Sequence, residues 1–241
     1  MDYVVLLAYF LPILFLMAFI GRVGKKYIIY ILWGFLTSIP MIFLISVCSV
    51  VNPQLDYDII NKYPLLEEFF KALPIIIPAL IGIKNNNKDL LVCAMASGIG
   101  FSIVENWFSV VGIHSPQLGE FITSSFEYLS VNHTLEDIFG VLDLSFTTSL
   151  MHGCTSGIIG YGAVLIRNFD RHVLPTLLFG FYTIAVTIHA IFNLLIILSL
   201  KPYSQEIASS VIFIFPVFLF FFLHACYRVD IPILFKKNAM E

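Results

Sequence analysis

Two observations predict an all-α protein that crosses a membrane several times. Hydrophobic residues make up 59% of the 241-residue chain and charged residues only 12%, which is about half the charged fraction of a soluble domain. The apolar residues are gathered in seven stretches, each long enough for the roughly 20 residues that a membrane-spanning helix needs. We therefore expect a polytopic helical bundle of about seven spans, built as a single domain over residues 1–241.

The predicted spans alternate with connections that contain glycine, proline, asparagine or charged residues. In chain order they are 3–20, 27–51, 64–83, 89–113, 143–166, 172–199 and 206–227. No basic segment or cleavage site precedes the first stretch, so we expect it to remain as a membrane helix and not to be removed as a signal peptide. The one long connection, 114–142, mixes acidic with aromatic residues and is predicted to be a loop at the membrane interface.

Basic residues predict the orientation, because loops on the cytoplasmic side carry the excess of Lys and Arg. Most of the 13 basic residues lie in the first, third and fifth connections and in the C-terminal tail. This pattern predicts an N-terminus outside the membrane, a cytoplasmic C-terminus and an outward-facing 114–142 loop. The net charge of −3 gives no basic surface for a nucleic-acid partner.

The third predicted span carries three charges, Glu67, Glu68 and Lys71. On a helix these side chains project from neighbouring parts of one face. One lysine can neutralise only one carboxylate, and a leftover carboxylate in an apolar site is disfavoured as the anion, which suits it to take and return a proton as a general base does. The i, i+4 spacing favours Glu67 as the partner of Lys71; the alternative is that Lys71 snorkels to the interface. Which glutamate is the base stays open.

The next three spans bring further polar side chains to the same depth in the membrane. At a rise of about 1.5 Å per residue, all of them fall in the outer half of the bilayer with the two glutamates. They are Glu105 and Asn106 in the fourth span, His152 in the fifth, and His189 and Asn193 in the sixth. Polar groups inside a membrane usually face the bundle interior or a water-filled cavity, so we expect one site. There a glutamate would activate water, while the histidines and Asn193 donate hydrogen bonds to an oxyanion.

Other unusual residues within the spans are interpreted as packing positions. Gly153 and Gly157 form a small-xxx-small pair, which lets two helices approach closely. Trp33 and Trp107 are interpreted as packing or interfacial aromatic residues.

Four short motifs in consecutive spans resemble those of PrsW-type intramembrane proteases. Glu67-Glu68-Phe-Phe-Lys71 resembles the EExxK motif, Phe101-Ser-Ile-Val-Glu105-Asn106 resembles FxxxEN, and His152 and His189-Ala-Ile-Phe-Asn193 resemble the two later histidine motifs. These proteases belong to a wider glutamic-protease clan that includes the CAAX-prenyl endopeptidases and their bacterial relatives. Lys71 and Glu105 stand where the CAAX branch usually has Arg and His, which favours the PrsW branch.

The resemblance implies an intramembrane endopeptidase that crosses the bacterial cytoplasmic membrane several times. Its substrate would be a membrane-anchored protein, such as an anti-sigma factor, cut near the extracytoplasmic side. Glu67 and Glu68 would work on water, Glu105, His152, His189 and Asn193 would complete the catalytic site, and Lys71 and Asn106 would support it. The lipid bilayer and the substrate are the expected partners; the oligomeric state is not predicted.

Three alternatives remain open at this point. The reaction needs no metal and the chain has no HExxH motif, so a metal-free site is favoured; if Zn²⁺ were bound, the ligands would be His152, His189, Glu105 and Glu68. A proton-coupled transporter also needs intramembrane Glu, His and Lys around a polar cavity. A non-catalytic scaffold that binds membrane helices would keep the same polar bundle but tolerate the loss of a carboxylate.

Overall fold

The computed structural model of the chain describes residues 25–51, 63–81, 87–110, 135–166, 172–199 and 205–228. These residues form helices α1 (Lys25–Val51), α2 (Tyr63–Leu80), α3 (Asn87–Val110), α4 (Leu135–Ile166), α5 (Leu174–Ser199) and α6 (Gln205–Arg228). The prediction of an all-helical bundle is therefore confirmed for the described ranges. The first predicted span, 3–20, lies outside the described residues, so the count of seven spans and the orientation stay predictions.

The helix bounds agree with the predicted spans to within a few residues, except at the start of α4. This helix begins at Leu135, so the prediction of a loop over 114–142 is wrong for its last eight residues, 135–142. The physical reason is that Glu136, Asp137 and Asp143 lower the hydropathy of these turns. Acidic residues near a helix N-terminus are favoured by the helix dipole. The same charges that make this segment less hydrophobic than a typical span therefore stabilise the start of the helix.

Four of the described helices contain segments that are long and apolar enough to cross a membrane. The segments are Lys25–Leu44, Asp89–Asn106, Pro175–Ser199 and Ile207–Cys226. The other two helices, α2 and α4, carry most of the buried charged and polar side chains of the described residues. The described part of the chain therefore forms a helical membrane bundle in which the less apolar helices carry polar groups inward.

Helix α3 is the centre of the bundle and makes its largest interfaces with α4 and α1. Every residue from Leu90 to Ser102 is buried. Two glycines allow the close approach: a Cβ at Gly98 would collide with the backbone carbonyl of His152 on α4, and one at Gly34 on α1 would collide with the backbone of Ser97. Small residues at such crossings let helices pack backbone to backbone. The position of His152 beside α3 is thus fixed by main-chain contact.

Helix α2 is exposed on one side and polar on the other. Its exposed residues are apolar: Leu65, Leu66, Phe69, Phe70, Ile77 and Leu80. Its buried face carries Glu67, Glu68, Lys71, Ala72 and Ile75. A helix that turns its charges inward and its apolar side chains outward suits a bilayer, where charges face the bundle interior. The interior face of α2 is therefore where the chemistry of the protein is concentrated.

Candidate active site

Glu68 on α2 is fully buried and occupies the centre of a polar cluster. Its Oε1 atom lies 2.6 Å from Nζ of Lys71, 2.8 Å from Oγ1 of Thr155 on α4 and 2.8 Å from Nδ1 of His189 on α5. Burying a carboxylate is costly unless it is paired and hydrogen-bonded, and charge-assisted bonds are the stronger ones. Three donors from three helices therefore hold Glu68 in place as an anion.

Lys71 pairs with Glu68, and the interpretation that favoured Glu67 as its partner is wrong. The Lys71 side chain is completely buried, so it does not snorkel to the interface either. Its Nζ atom also lies 2.7 Å from Nδ1 of His152 and 5.0 Å from the ring centre of Phe101. The rotation of α2 about its axis explains the difference, since it turns Lys71 and its i−3 neighbour toward α4 and leaves Glu67 about 100° around the helix.

His189 connects the two glutamates. A carboxylate oxygen only accepts, so Nδ1 of His189 donates its hydrogen to Glu68. In the neutral ring Nε2 then carries a lone pair, and this atom lies 3.5 Å from Oε2 of Glu67. His189 therefore presents an acceptor toward Glu67 while its other nitrogen is anchored.

His152 carries its hydrogen on the opposite ring nitrogen from that of His189. Its ring is nearly perpendicular to that of His189, with the ring centres 4.8 Å apart. The Lys71 ammonium has donors only, so Nδ1 of His152 accepts from it. Nε2 of His152 then carries the hydrogen, and this atom lies beside the Glu105 carboxylate. Two neighbouring histidines thus present one acceptor and one donor to the same small volume.

Glu67 differs from its neighbour in the donors that reach it. Both residues are buried, and among the described residues Oε2 of each has no hydrogen-bond partner, but the three donors to Glu68 all reach its Oε1. Nε2 of His189 lies 3.5 Å from Oε2 of Glu67, which is too far for a hydrogen bond of ordinary length. The buried carboxylate that Lys71 does not pair with is therefore Glu67.

The remaining predicted site residues lie at the edges of the cluster. Glu105 meets His152, and its side chain is 33% exposed. Asn106 is buried and donates to the carbonyl of Ser145 and to Oγ of Ser149, both at 3.1 Å, so it ties α3 to α4. Asn193 is half-buried one turn beyond His189; within the described ranges no hydrogen bond joins it to the two histidines or the glutamates.

Hydroxyl side chains are the part of the cluster that the sequence argument missed. Thr155 donates to Glu68, Ser97 donates to the backbone carbonyl of Lys71 at 2.8 Å, and Ser102 donates to Ser149 at 2.8 Å. The sequence carries a signal for only part of these hydroxyl groups, because positions 145, 149, 152 and 156 of α4 recur at helical spacing and are all Ser or His, which includes Ser149 but none of the three donors. That stripe marks the face of α4 that lies against α3.

Three side chains of the cluster offer a set of metal ligands. One ligand atom each from Glu67, His152 and His189 lies within 4.8 Å of the others, and these residue types bind Zn²⁺. This group differs from the predicted set, which had Glu68 and Glu105 and did not include Glu67. His152 does not fit as it stands. A zinc-bound histidine usually donates its second nitrogen to an acceptor, whereas here Nδ1 meets the Lys71 ammonium and Nε2 meets Glu105.

Comparison with known protein families gives one match. The model of the PrsW family of intramembrane metalloproteases matches residues 24–224, which is most of the chain and includes all four motifs. Neither the curated proteins nor the solved structures contain a significant match. The predicted resemblance is thereby confirmed: the chain belongs to the PrsW family of intramembrane proteases.

Proposed function

We propose that this protein cleaves a membrane-anchored protein by a metal-free mechanism in which Glu67 activates water. One observation carries the proposal. The two adjacent buried glutamates have different hydrogen-bonding environments. Three donors converge on one oxygen of Glu68, whereas Oε2 of Glu67 lies near the acceptor nitrogen of His189. A buried carboxylate that Lys71 does not neutralise binds a proton more readily and is suited to general-base work, whereas one held by three donors at one oxygen is suited to anchoring.

The proposed reaction uses each neighbour according to its hydrogen-bonding state. A water held between Glu67 and Nε2 of His189 gives one proton to Glu67 and attacks the scissile carbonyl carbon. Nε2–H of His152, which lies beside Glu105 in the resting site, donates to the resulting oxyanion, and Asn193 is the second candidate donor. Glu67 then passes its proton to the amine nitrogen as the C–N bond breaks.

The supporting residues keep these states in place. Lys71 neutralises Glu68 and holds His152 in the tautomer that carries hydrogen on Nε2. Glu68 holds His189 in the opposite tautomer. The side chain of Glu105 is 33% exposed, so an entering peptide carbonyl would take its place beside Nε2 of His152. Asn106 joins the two helices that carry Glu105 and His152.

The substrate and the location follow from the resemblance and from the charge pattern. We propose a single-span membrane protein, such as an anti-sigma factor, that is cut near the extracytoplasmic face of a bacterial cytoplasmic membrane. The seven-span topology with a cytoplasmic C-terminus belongs to the same proposal. The cleaved stretch must be locally unwound, because the carbonyls of an intact helix are occupied by its own backbone bonds.

A metalloprotease is the second candidate, and the grouping of Glu67, His152 and His189 together with the family description favours it. In that case these three residues would hold the ion, and the ion would activate the water. His152 would first have to exchange its present partners, which is why the metal-free reaction is preferred.

Cleavage by the purified protein in lipid nanodiscs tests both candidates. A panel of single-span substrates is incubated with the wild type, Glu67→Gln and His189→Ala, each with and without a strong chelator. We expect Glu67→Gln to abolish cleavage and the chelator to leave the wild type active. Loss of activity with chelator and its return with Zn²⁺ would establish the metalloprotease. Cleavage by Glu67→Gln at the wild-type rate would refute the role of Glu67, and binding without cleavage by the wild type would favour a scaffold.

A further inference from the structure

Two prolines inside α2 remove backbone donors from the helix that carries both glutamates. Proline has no N–H, so the carbonyl four residues before it loses its helical partner. Pro74 leaves the carbonyl of Phe70 without that bond. In the chain, Phe70 directly precedes Lys71, two residues after Glu68 and two before the buried Ala72. An unsatisfied carbonyl is costly in a membrane because lipid offers no donor.

Trp33 of α1 supplies the missing donor. Its Nε1–H donates to the carbonyl of Phe70 at 3.0 Å, and the indole has no second N–H to use elsewhere. The interpretation of Trp33 as an ordinary packing aromatic therefore leaves out its one polar contact. This bond links α1 to the middle of α2 at the point where the helix lacks its own support.

Two other side chains also donate to carbonyls of α2, but the need for them is different. Ser97 of α3 donates to the carbonyl of Lys71 at 2.8 Å, and Tyr182 of α5 donates to that of Leu65 at 2.6 Å. The residues four positions after Lys71 and Leu65 are Ile75 and Phe69, and both have an N–H for the helical bond. The carbonyl of Phe70 is different, because its helical donor is missing and the indole replaces it.

We propose that Trp33 is a positioning residue that fixes the course of α2 at Pro74 and thereby the placement of Glu67 and Glu68 against His189. Helices bend at proline because the missing bond removes a constraint. Packing restrains α2 on one side only, since Leu66, Phe69 and Phe70 are exposed. The role in cleavage rests on the function proposed above; the placement of the glutamates does not.

A double-substitution cycle tests this in the full chain in lipid nanodiscs. Trp33→Phe keeps an aromatic ring and removes the donor, while Pro74→Ala restores a backbone N–H for the carbonyl of Phe70. We expect Trp33→Phe to lower kcat by about 3- to 10-fold, the range of one hydrogen bond, with KM changed less than about twofold. In the Pro74→Ala background the same substitution should change kcat by less than about twofold, because the restored backbone N–H at position 74 takes over.

Pro78→Ala is the matched control, because Pro78 frees the carbonyl of Pro74 and not that of Phe70. We expect Trp33→Phe to remain as damaging in the Pro78→Ala background as in the wild type. An equal loss of kcat in all three backgrounds would show a role for the indole in packing alone and would overturn the proposal.

A readout without catalysis separates this proposal from the proposed function. The ring ¹⁵N resonances of His189 report its hydrogen bond to Glu68 whether or not any peptide is cut. We expect Trp33→Phe to shift them and Pro74→Ala, combined with it, to return them toward their position in Pro74→Ala alone. If the shift and its reversal occur while the wild type cleaves no substrate, the positioning role stands and the protease mechanism fails. Unchanged His189 resonances in Trp33→Phe would overturn the positioning role.

Discussion

Helices α2 and α3 both carry residues of the candidate site, but they are held in place by different forces. Helix α3 is enclosed by other helices along Leu90 to Ser102, and glycines let its backbone touch its neighbours. Helix α2 has an exposed apolar side, and its contacts with α1, α3 and α5 include hydrogen bonds from side chains to its carbonyls. The pair α3 and α4 thus forms a rigid frame, and α2 is an element whose position depends on a few polar bonds.

The same contrast recurs within α2, between neighbouring glutamates. Glu68 accepts hydrogen bonds from Thr155 on α4, which belongs to the frame, and from His189 on α5. Glu67 lies next to it, and no donor from the described ranges reaches its Oε2. Two different carboxylates are therefore available for two different roles. A residue that anchors the helix must keep its negative charge, whereas a residue that transfers a proton must lose and regain that charge.

The largest loss of stability is expected from Glu68→Ala. It leaves the Lys71 ammonium buried without its partner, and breaking a buried ion pair in this way costs about 3–5 kcal/mol. Thermal unfolding in detergent, followed by the loss of helical circular dichroism, measures the effect. Glu67→Ala is the matched control and should cost much less, because it leaves no buried ammonium without its partner and removes a buried carboxylate whose Oε2 has no hydrogen-bond partner in the described part of the chain.

Removing both charges sharpens this test. In Glu68→Ala combined with Lys71→Met no uncompensated charge is left, so we expect much of the stability lost in Glu68→Ala to return. Equal destabilisation by Glu67→Ala and Glu68→Ala would contradict the division between an anchoring and a reacting carboxylate.

A smaller loss is expected from Gly98→Ala, which acts on the frame. The added methyl group would meet the backbone carbonyl of His152, so α3 and α4 must move apart, at an expected cost of about 1–3 kcal/mol. Cleavage should fall as well, because the same shift displaces His152. Gly180→Ala is the control, since nothing lies within 4 Å of a Cβ at that position, and alanine is the better helix former by about 1 kcal/mol. A harmless Gly98→Ala would mean that the frame is not closely packed.

The sequence predicts the faces and depths of the site residues but not the rotation of one helix against another. Helical spacing alone groups Glu67, Glu68, His152 and His189, and these four residues do meet. The partner of Lys71 could not be derived in this way, because i+3 and i+4 neighbours are equivalent until α4 is placed beside α2.

The contributions of Thr155 and Trp33 could not be predicted from the sequence for a related reason. Both act on α2 from other helices, across 87 and 37 positions of the chain, and no local pattern joins residues at such separations. A local signal exists only on the acceptor side, because Pro74 leaves the carbonyl of Phe70 in need of a donor from elsewhere. The start of α4 was missed because its acidic residues lower the hydropathy on which the span prediction depends.

The smallest of these effects is expected from Ser149→Ala, within the row of hydroxyl groups between α3 and α4. Ser149 accepts from Ser102 and from Asn106. Both donors keep another acceptor after the substitution, Ser102 at the carbonyl of Ile99 and Asn106 at that of Ser145. Neither donor is left unsatisfied, so the expected loss is about 1 kcal/mol.

Thr187→Ala is the control for Ser149→Ala, because its exposed hydroxyl bonds to the carbonyl of Thr183 in its own helix, and a change within about 0.5 kcal/mol is expected. Cleavage by Ser149→Ala should stay within about twofold of the wild type, since Ser149 bonds to neither glutamate nor histidine and one lost hydrogen bond is a small effect. A loss as large as that of Glu68→Ala would mean that hydroxyl bonds, and not the close backbone packing around Gly98, hold α3 against α4. The contrast between a frame held by packing and a helix held by polar bonds would then fail.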